Sequence, residues 1–331
     1  MTLRGMLSRP FTKILASGNA GARDPHANAL GDAKRELLSQ RILRFFVAAY
    51  VVFLVVLEAF FIMPELYERR WDLYSAFFVV GIYFLACFTC SVIRFVTEDP
   101  SIRGLVLANR VCRDWSYCVS CQTPRPPRTH HCHICDACVL RRDHHCVLLA
   151  QCVGFTNWRY FFTLIVYGAL GTWLATFFNL QFIFGSRFLP ASWSPGFRLL
   201  CMLSPPGLFW FFGLLTIGQT VVFVSSTTCL LFALLLVCFG FYHARLMCHN
   251  QTTSDQMARF RASAADSTHR ATDSQTILTT TTVNPYDVGV QANVSQFLGL
   301  NWIKSILLPF SSVSYPIDGL SFPRSDLVKF R

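Results

Sequence analysis

Residues 118–152 read CVSCQTPRPPRTHHCHICDACVLRRDHHCVLLAQC, and this stretch decides how the rest of the chain is organised. Seven cysteines fall within it, interleaved with histidines. Structural zinc takes four thiolate or imidazole ligands in a tetrahedron, and the ligands often come in pairs two residues apart, as in Cys118-x2-Cys121 and Cys132-x2-Cys135. The stretch supplies eight such ligands, enough for two sites. It leaves one Asp143-His144-x-Cys146 set unspent, and a spare Cys, His and Asp held close together are what an activated nucleophile needs. Three prolines (Pro124, Pro126, Pro127) and little apolar material predict loops and short hairpins shaped by metal rather than by a core.

Outward from this stretch the chain turns apolar. Of its 331 residues 53% are hydrophobic, and Phe alone accounts for 32, which points to membrane. A helix needs about 20 apolar residues to cross a bilayer core. Four runs qualify, at about 42–63, 74–93, 161–185 and 219–242. The last lies inside a longer apolar stretch, Leu208 to Tyr242, whose first part GLFWFFGLLTIG reads as a tilted extension or an interfacial helix. The fold class that follows is an all-α polytopic membrane protein of four transmembrane helices, with a cysteine-rich, two-zinc domain (94–160) between the second and third.

Eight Lys/Arg precede the first run through Arg44, nine lie between Arg94 and Arg159, and eight follow from Arg245 on. The two short connections hold only Arg69, Arg70, Arg187 and Arg198. Positive residues mark the cytosolic side, so both termini and the cysteine-rich segment are expected in the cytosol. Thiols stay reduced there, which favours metal binding or catalysis over disulfides. The net charge of +11 flanks membrane spans instead of forming one stripe, so a nucleic-acid partner is not expected. No cleavable signal peptide is visible. Residues 1–41 are expected to be flexible, 252–283 to be a flexible linker, and 284–310 to be a packed element within the 243–331 tail. Glu58 is expected near the outer end of the first span, hydrated and without a role. No internal repeat is visible.

The stretch resembles the cysteine-rich domain of the DHHC protein S-acyltransferases, or palmitoyltransferases. Cys118, Cys121, His131, Cys132, Cys135, Cys138, Asp143-His144-His145-Cys146, Cys152, Asn157 and Phe161 carry the resemblance. Asp99-Pro100-Ser101, Thr252-Thr253-Ser254-Asp255 and Asn293 with Phe297 and Gly299 add weaker marks. The resemblance implies two interleaved structural zinc ions, one on Cys118, Cys121, His131 and Cys138, the other on Cys132, Cys135, His145 and Cys152. It implies a ping-pong transfer in which Cys146 is the nucleophile, His144 the general base and Asp143 its orienting carboxylate. The co-substrate would be acyl-CoA (palmitoyl-CoA), with Arg141, Arg142, Thr253 and Asn293 as candidate cofactor-binding or supporting residues. Partners would be the bilayer and proteins with accessible cytosolic cysteines, with room for an accessory subunit. The place would be an endomembrane (Golgi or ER) or the plasma membrane.

One departure stands beside the nucleophile. Family members follow it with Pro-Trp-Val-Asn-Asn, whereas here Val147-Leu148-Leu149-Ala150-Gln151 fills the same length. Cys152 stays in register, but the aromatic and amide contacts are expected to be lost. A catalytically weak scaffold is the alternative reading. Preserved Asp143, His144 and Cys146 weigh against it, since zinc needs none of the three. A RING-type ligase would need a further Cys-x2-Cys pair at the end, where only Cys152 is present, and a metal transporter would want more than Glu58 within the spans.

Overall fold

The computed structural model describes residues 25–105, 114–185, 188–190, 192–270 and 284–325. Helix α1 (Pro25–Leu57) continues through one π turn at Glu58–Ile62 into α2 (Met63–Leu66), and α3 (Trp71–Thr97) runs back. Three two-stranded antiparallel hairpins follow: β1 (Ser116–Cys118) with β2 (Thr123–Arg125), β3 (His130–Cys132) with β4 (Ala137–Val139), and β5 (His144–Cys146) with β6 (Gln151–Val153). Beyond them come α4 (Trp158–Gly185), two short helices, α5 (Pro195–Leu203) and α6 (Pro206–Phe211), and then α7 (Ile217–Cys248). Helix α8 (Thr253–Arg270) opens the tail, which ends its helical part with α9 (Val290–Leu298) and α10 (Trp302–Leu307).

Among the described residues, four helical stretches are long and apolar enough to cross a membrane: Gly31–Leu66, Trp71–Thr97, Trp158–Gly185 and Ile217–Cys248. Each overruns the apolar run that predicts it. The backbone ladder does not stop where lipid does, and flanking residues such as Arg41, Arg94 and Arg245 are good helix formers. Within the last apolar stretch, α6 and α7 are separate helices. Gly213 takes a left-handed φ of +69° and breaks the chain after α6. Thr216 then starts α7 with a reciprocal box: its Oγ1 accepts from Gln219 N–H at 3.3 Å, and its own N–H donates to Gln219 Oε1 at 3.0 Å.

Helices α4 and α7 form the centre of the bundle and bury more of their apolar faces than the first two stretches do. Phe45, Phe46, Phe53, Val79, Ile82, Leu231 and Phe241 point outward, as lipid-facing residues must. Two apolar clusters cap the bundle. One, at the end away from the hairpins, joins Ile62, Phe182 and Phe223 to Cys201 and Met202 of α5. The other, under the hairpins, joins Phe95, Trp158, Phe161 and Met247 to Phe297 of α9.

Glu58 departs from its expected hydrated place. It is buried at the π turn, where its carboxylate accepts from Asn179 of α4, and Ser226 of α7 donates to Asn179 Oδ1 at 2.7 Å. A charge too costly to face lipid is instead turned inward to a polar partner. The expected linker 252–283 also differs where it is described, since Thr253–Arg270 is helical. Thr252 and Asp255 cap it reciprocally at 2.9 and 3.1 Å, and the Gln-Met-Ala-Arg run that follows favours helix. Of the N-terminal segment expected to be flexible, 25–41 is instead helical as the start of α1; residues 1–24 and the rest of that linker lie outside the described residues.

Candidate active site and metal centres

The three hairpins are copies of one design that the sequence reading misses. In each, a three-residue strand leads through a four-residue turn whose last residue is left-handed: Gln122 (φ 50°), Asp136 (φ 47°) and Ala150 (φ 52°). Cys118, Cys132 and Cys146 close the first strands at intervals of fourteen (118, 132, 146). The register sets His131 opposite Cys138 and His145 opposite Cys152. Each metal-ligand set then takes the Cys-x2-Cys turn of one hairpin and the His–Cys rung of the next.

The ligand atoms of Cys118, Cys121, His131 and Cys138 all lie within 4.8 Å of one another, as do those of Cys132, Cys135, His145 and Cys152. In the second set His145 Nδ1 stands 3.3 Å from Cys135 Sγ and 3.6 Å from both Cys132 Sγ and Cys152 Sγ, and Cys135 Sγ lies 3.7 Å from Cys152 Sγ. A tetrahedron with Zn–S near about 2.3 Å and Zn–N near about 2.0 Å has edges of roughly 3.5–3.8 Å, so both the donor types and the spacing fit zinc. In the first set Cys121 Sγ and His131 Nδ1 are 3.2 Å apart.

Along β5 side chains alternate, so His144 and Cys146 share one face and His145 takes the other. His144 Nδ1 sits 2.6 Å from Asp143 Oδ2, and Cys146 lies on the same face of the strand as His144. Asp143 is buried and held on all sides. Thr253 N–H donates to Oδ1 at 3.0 Å, Thr253 Oγ1 donates to Oδ2 at 2.8 Å, and Ser254 Oγ donates to the Asp143 carbonyl at 2.7 Å. Burial is the largest influence and raises the Asp143 carboxyl, but the hydrogen bonds from His144 and Thr253 and the nearby His144 and His243 rings together outweigh it and leave Asp143 below the ordinary carboxylate range. For His144 burial likewise opposes charge, yet Asp143 and Cys146 together push it up to about 9. Cys146 is half-buried against the cluster that contains Val153, Phe161 and Phe239. The site thus offers a thiol beside a carboxylate-backed imidazole at the end of an apolar helix bundle.

Comparison with known proteins agrees with this constellation. The family model described as DHHC palmitoyltransferase matches residues 112–259. The human protein named Probable palmitoyltransferase ZDHHC24 is 32% identical over 231 residues, covering 69% of this chain and 71% of the relative. Its Danio rerio counterpart is 34% identical over 285 residues, 85% of this chain and 87% of the relative. The chain belongs to the DHHC palmitoyltransferase family. A further similarity, 29% over 230 residues (68% of this chain, 76% of the relative), is to Probable protein S-acyltransferase 15 of Arabidopsis thaliana.

The weaker DHHC-family marks prove to be joints around the site. Asp99-Pro100-Ser101 forms a turn, with Ser101 N–H on Asp99 Oδ1 at 2.9 Å, and Leu140 N–H donates to Pro100 O at 3.0 Å. Asp255 pairs with buried Arg128 at 2.6 Å, and Arg128 also donates to Asn250 Oδ1 at 2.9 Å. Thr253 reaches Asp143, as described above. Two of the residues read as cofactor-binding are placed otherwise. Arg141 is buried with its guanidinium 3.3 Å above the Phe297 ring, donating to Gln296 O at 2.7 Å, so it is not open to a phosphate arriving from solvent. Asn293 is buried too, its Nδ2 donating to Cys248 O at 2.8 Å and Asp287 Oδ1 at 2.7 Å, which ties α9 to the end of α7. Arg142 is half-buried and meets Ser254 Oγ at 3.4 Å.

The altered run after Cys146 keeps an amide. Gln151 Nε2 donates to Phe95 O at 3.2 Å and Glu98 O at 2.8 Å, anchoring the third hairpin to the end of α3. Two neighbours of this DHHC site escape the sequence reading. His243 of α7 is buried with its ring centroid 5.8 Å from that of His144, and a ring nitrogen of His243, a ring nitrogen of His144 and a carboxylate oxygen of Asp143 all lie within 4.8 Å of one another. A lone titratable residue closing an apolar run is the signal that marks it. Gln40 of α1 is also buried, and its Oε1 lies 2.8 Å from His145 Nε2. Nothing in its sequence surroundings distinguishes it.

Proposed function

We propose that this chain is a protein S-palmitoyltransferase in which Cys146 carries the acyl group between two thioesters. The single observation behind this reading is the Asp143–His144–Cys146 line, clamped by Thr253. His144 takes the Cys146 proton, and the thiolate attacks the thioester carbonyl of a long-chain acyl-CoA. The carbonyl–sulfur bond to CoA breaks, the proton returns to the departing CoA thiolate, and an acyl–Cys146 thioester remains. A protein cysteine then gives its proton to His144, attacks the same carbonyl and leaves with the acyl chain, freeing Cys146 as the leaving thiolate. One thioester is exchanged for another at each step, so neither is strongly uphill.

The acyl chain would lie against the apolar residues beneath the hairpins, among them Phe161 and Phe239 that flank the thiol. The four-helix plan with basic flanks supports an orientation in which the hairpins and both termini face the cytosol. Two Cys3His sites with all four positions filled would hold zinc as structural centres, fixing the hairpins and leaving no open position for substrate. Arg142, at the edge of the site, remains the candidate for a CoA phosphate.

Autoacylation tests the reading. Zinc-loaded protein is mixed with palmitoyl-CoA and followed by intact mass and CoA release. One hydroxylamine-sensitive adduct that disappears in Cys146→Ser is the expected result. Absence of an adduct on folded, zinc-loaded wild type would instead favour the scaffold reading.

A further inference from the structure

We infer that Gln40 is a positioning residue for the second metal centre, so that the first membrane helix completes a site whose four ligands all lie in the cysteine-rich region. The inference rests on the zinc reading above and deepens it. His145 has one ring nitrogen, Nδ1, turned into the sulfur cluster at 3.3–3.6 Å. A neutral imidazole offers one N–H and one lone pair. Its other nitrogen, Nε2, lies 2.8 Å from Gln40 Oε1, 105 residues earlier in the chain. A carbonyl oxygen only accepts, so Nε2 carries the proton and Nδ1 is left with its lone pair for the metal.

The amide is itself held the right way round. Gln40 Nε2 donates to Glu36 Oε1, one turn earlier on the helix, at 3.3 Å. Gln40 is 4% exposed, whereas Leu38 and Ile42 on either side are 59% and 49% exposed. This face of α1 therefore seats on the hairpins while the others do not. One turn further, Arg44 Nη1 donates to Leu149 O at 3.2 Å, in the turn that follows Cys146. Residues 40 and 44 share a helix face, so the helix grips the third hairpin on both sides of its nucleophile.

Among the described residues the first centre has no such partner. His131 Nε2 faces Asp136 Oδ1 at 3.8 Å, beyond hydrogen-bond reach, and Asp136 is exposed and belongs to the neighbouring turn. The two centres are thus alike in ligands and unlike in support: one is self-contained, the other leans on the bundle. Outer partners of metal-bound histidines contribute roughly 10–100-fold to metal affinity.

The test uses the full chain in detergent. Zinc content is measured by elemental analysis, zinc release by a chromophoric chelator, and the exposed thiols by alkylation mapped with mass spectrometry. Wild type is compared with Gln40→Leu and Gln40→Met, which lack the acceptor, Gln40→Glu, which keeps it, and Asp136→Ala. The expected result is that one of two zinc equivalents leaves about 10–100-fold faster from the Leu and Met variants. Cys132, Cys135 and Cys152 should then alkylate while Cys118, Cys121 and Cys138 stay protected. Gln40→Glu should approach wild type, and Asp136→Ala should leave both rates alone. Release unchanged from wild type in the Leu and Met variants would overturn the inference while leaving two zincs standing. Loss of both equivalents together would also overturn it, since the contact would then be a general folding contact. A wild type with fewer than two zincs would overturn the zinc reading itself.

Discussion

At the scale of the residue, the site depends on how tightly Asp143 is held. Thr253 supplies two of its hydrogen bonds, one from the backbone and one from Oγ1. Thr253→Val keeps shape and the backbone bond but removes the hydroxyl from a carboxylate. Hydrogen bonds to charged groups are worth about 1.5–3 kcal/mol, so acyl–Cys146 formation should slow roughly tenfold or more, read as the autoacylation rate with zinc content unchanged. Asp143→Asn keeps the size but removes the charge behind His144. Loss of acid–base assistance should slow the same rate by about 10²–10⁴-fold. Asp143, His144 and Cys146 were named because the family resemblance sets them apart from the metal ligands, and the structure brings Asp143 and His144 to within 2.6 Å. Arg141 was not, because the direction of a long basic side chain is set by what lies beyond its own segment. Here that is the Phe297 ring, more than 150 residues later, over which its guanidinium lies.

At the scale of the element, local sequence marks helices and turns more clearly than it marks their contacts. The apolar runs give four helices, and Gly213 with the Thr216–Gln219 box gives the start of α7. The start of α8 had its signal in Thr252 and Asp255, which composition alone reads as linker. The same Asp255 joins α8 to the connection between the first and second hairpins through Arg128, whose side chain is 2% exposed. Asp255→Ala would leave that guanidinium buried without its counter-ion, a change that costs about 3–5 kcal/mol. A lower melting temperature and easier proteolysis between the hairpins and α8 should follow, whereas Asp255→Glu should recover part of the loss. The hairpin repeat stayed hidden because only the ligand positions and the turn geometry recur. Gln122, Asp136 and Ala150 share a backbone conformation but no chemistry.

At the scale of the whole molecule, two parts are held by different forces. The bundle is built from apolar helices that lipid supports, while the hairpins have small cores centred on their cysteines. Metal in such sites contributes roughly 10 kcal/mol or more to folding. Stripping it with a chelator at neutral pH should open the hairpins to protease between Asp114 and Asn157 and abolish autoacylation. Helicity measured by circular dichroism should fall little. The plan of helices and hairpins was readable from hydropathy and ligand spacing. The seating of α1 on the third hairpin was not, since Gln40 and Arg44 reach it across more than a hundred residues. The fourteen-residue unit carries a last consequence. Cys146 stands where Cys118 and Cys132 stand, and Leu149 where Cys121 and Cys135 stand, but α4 begins before any further hairpin can bring a His–Cys rung. On the proposed reading, reactivity therefore arises at the open end of an array, where a ligand position is left without a metal. One more unit, with a cysteine at 149, would close the series and turn the nucleophile into scaffolding.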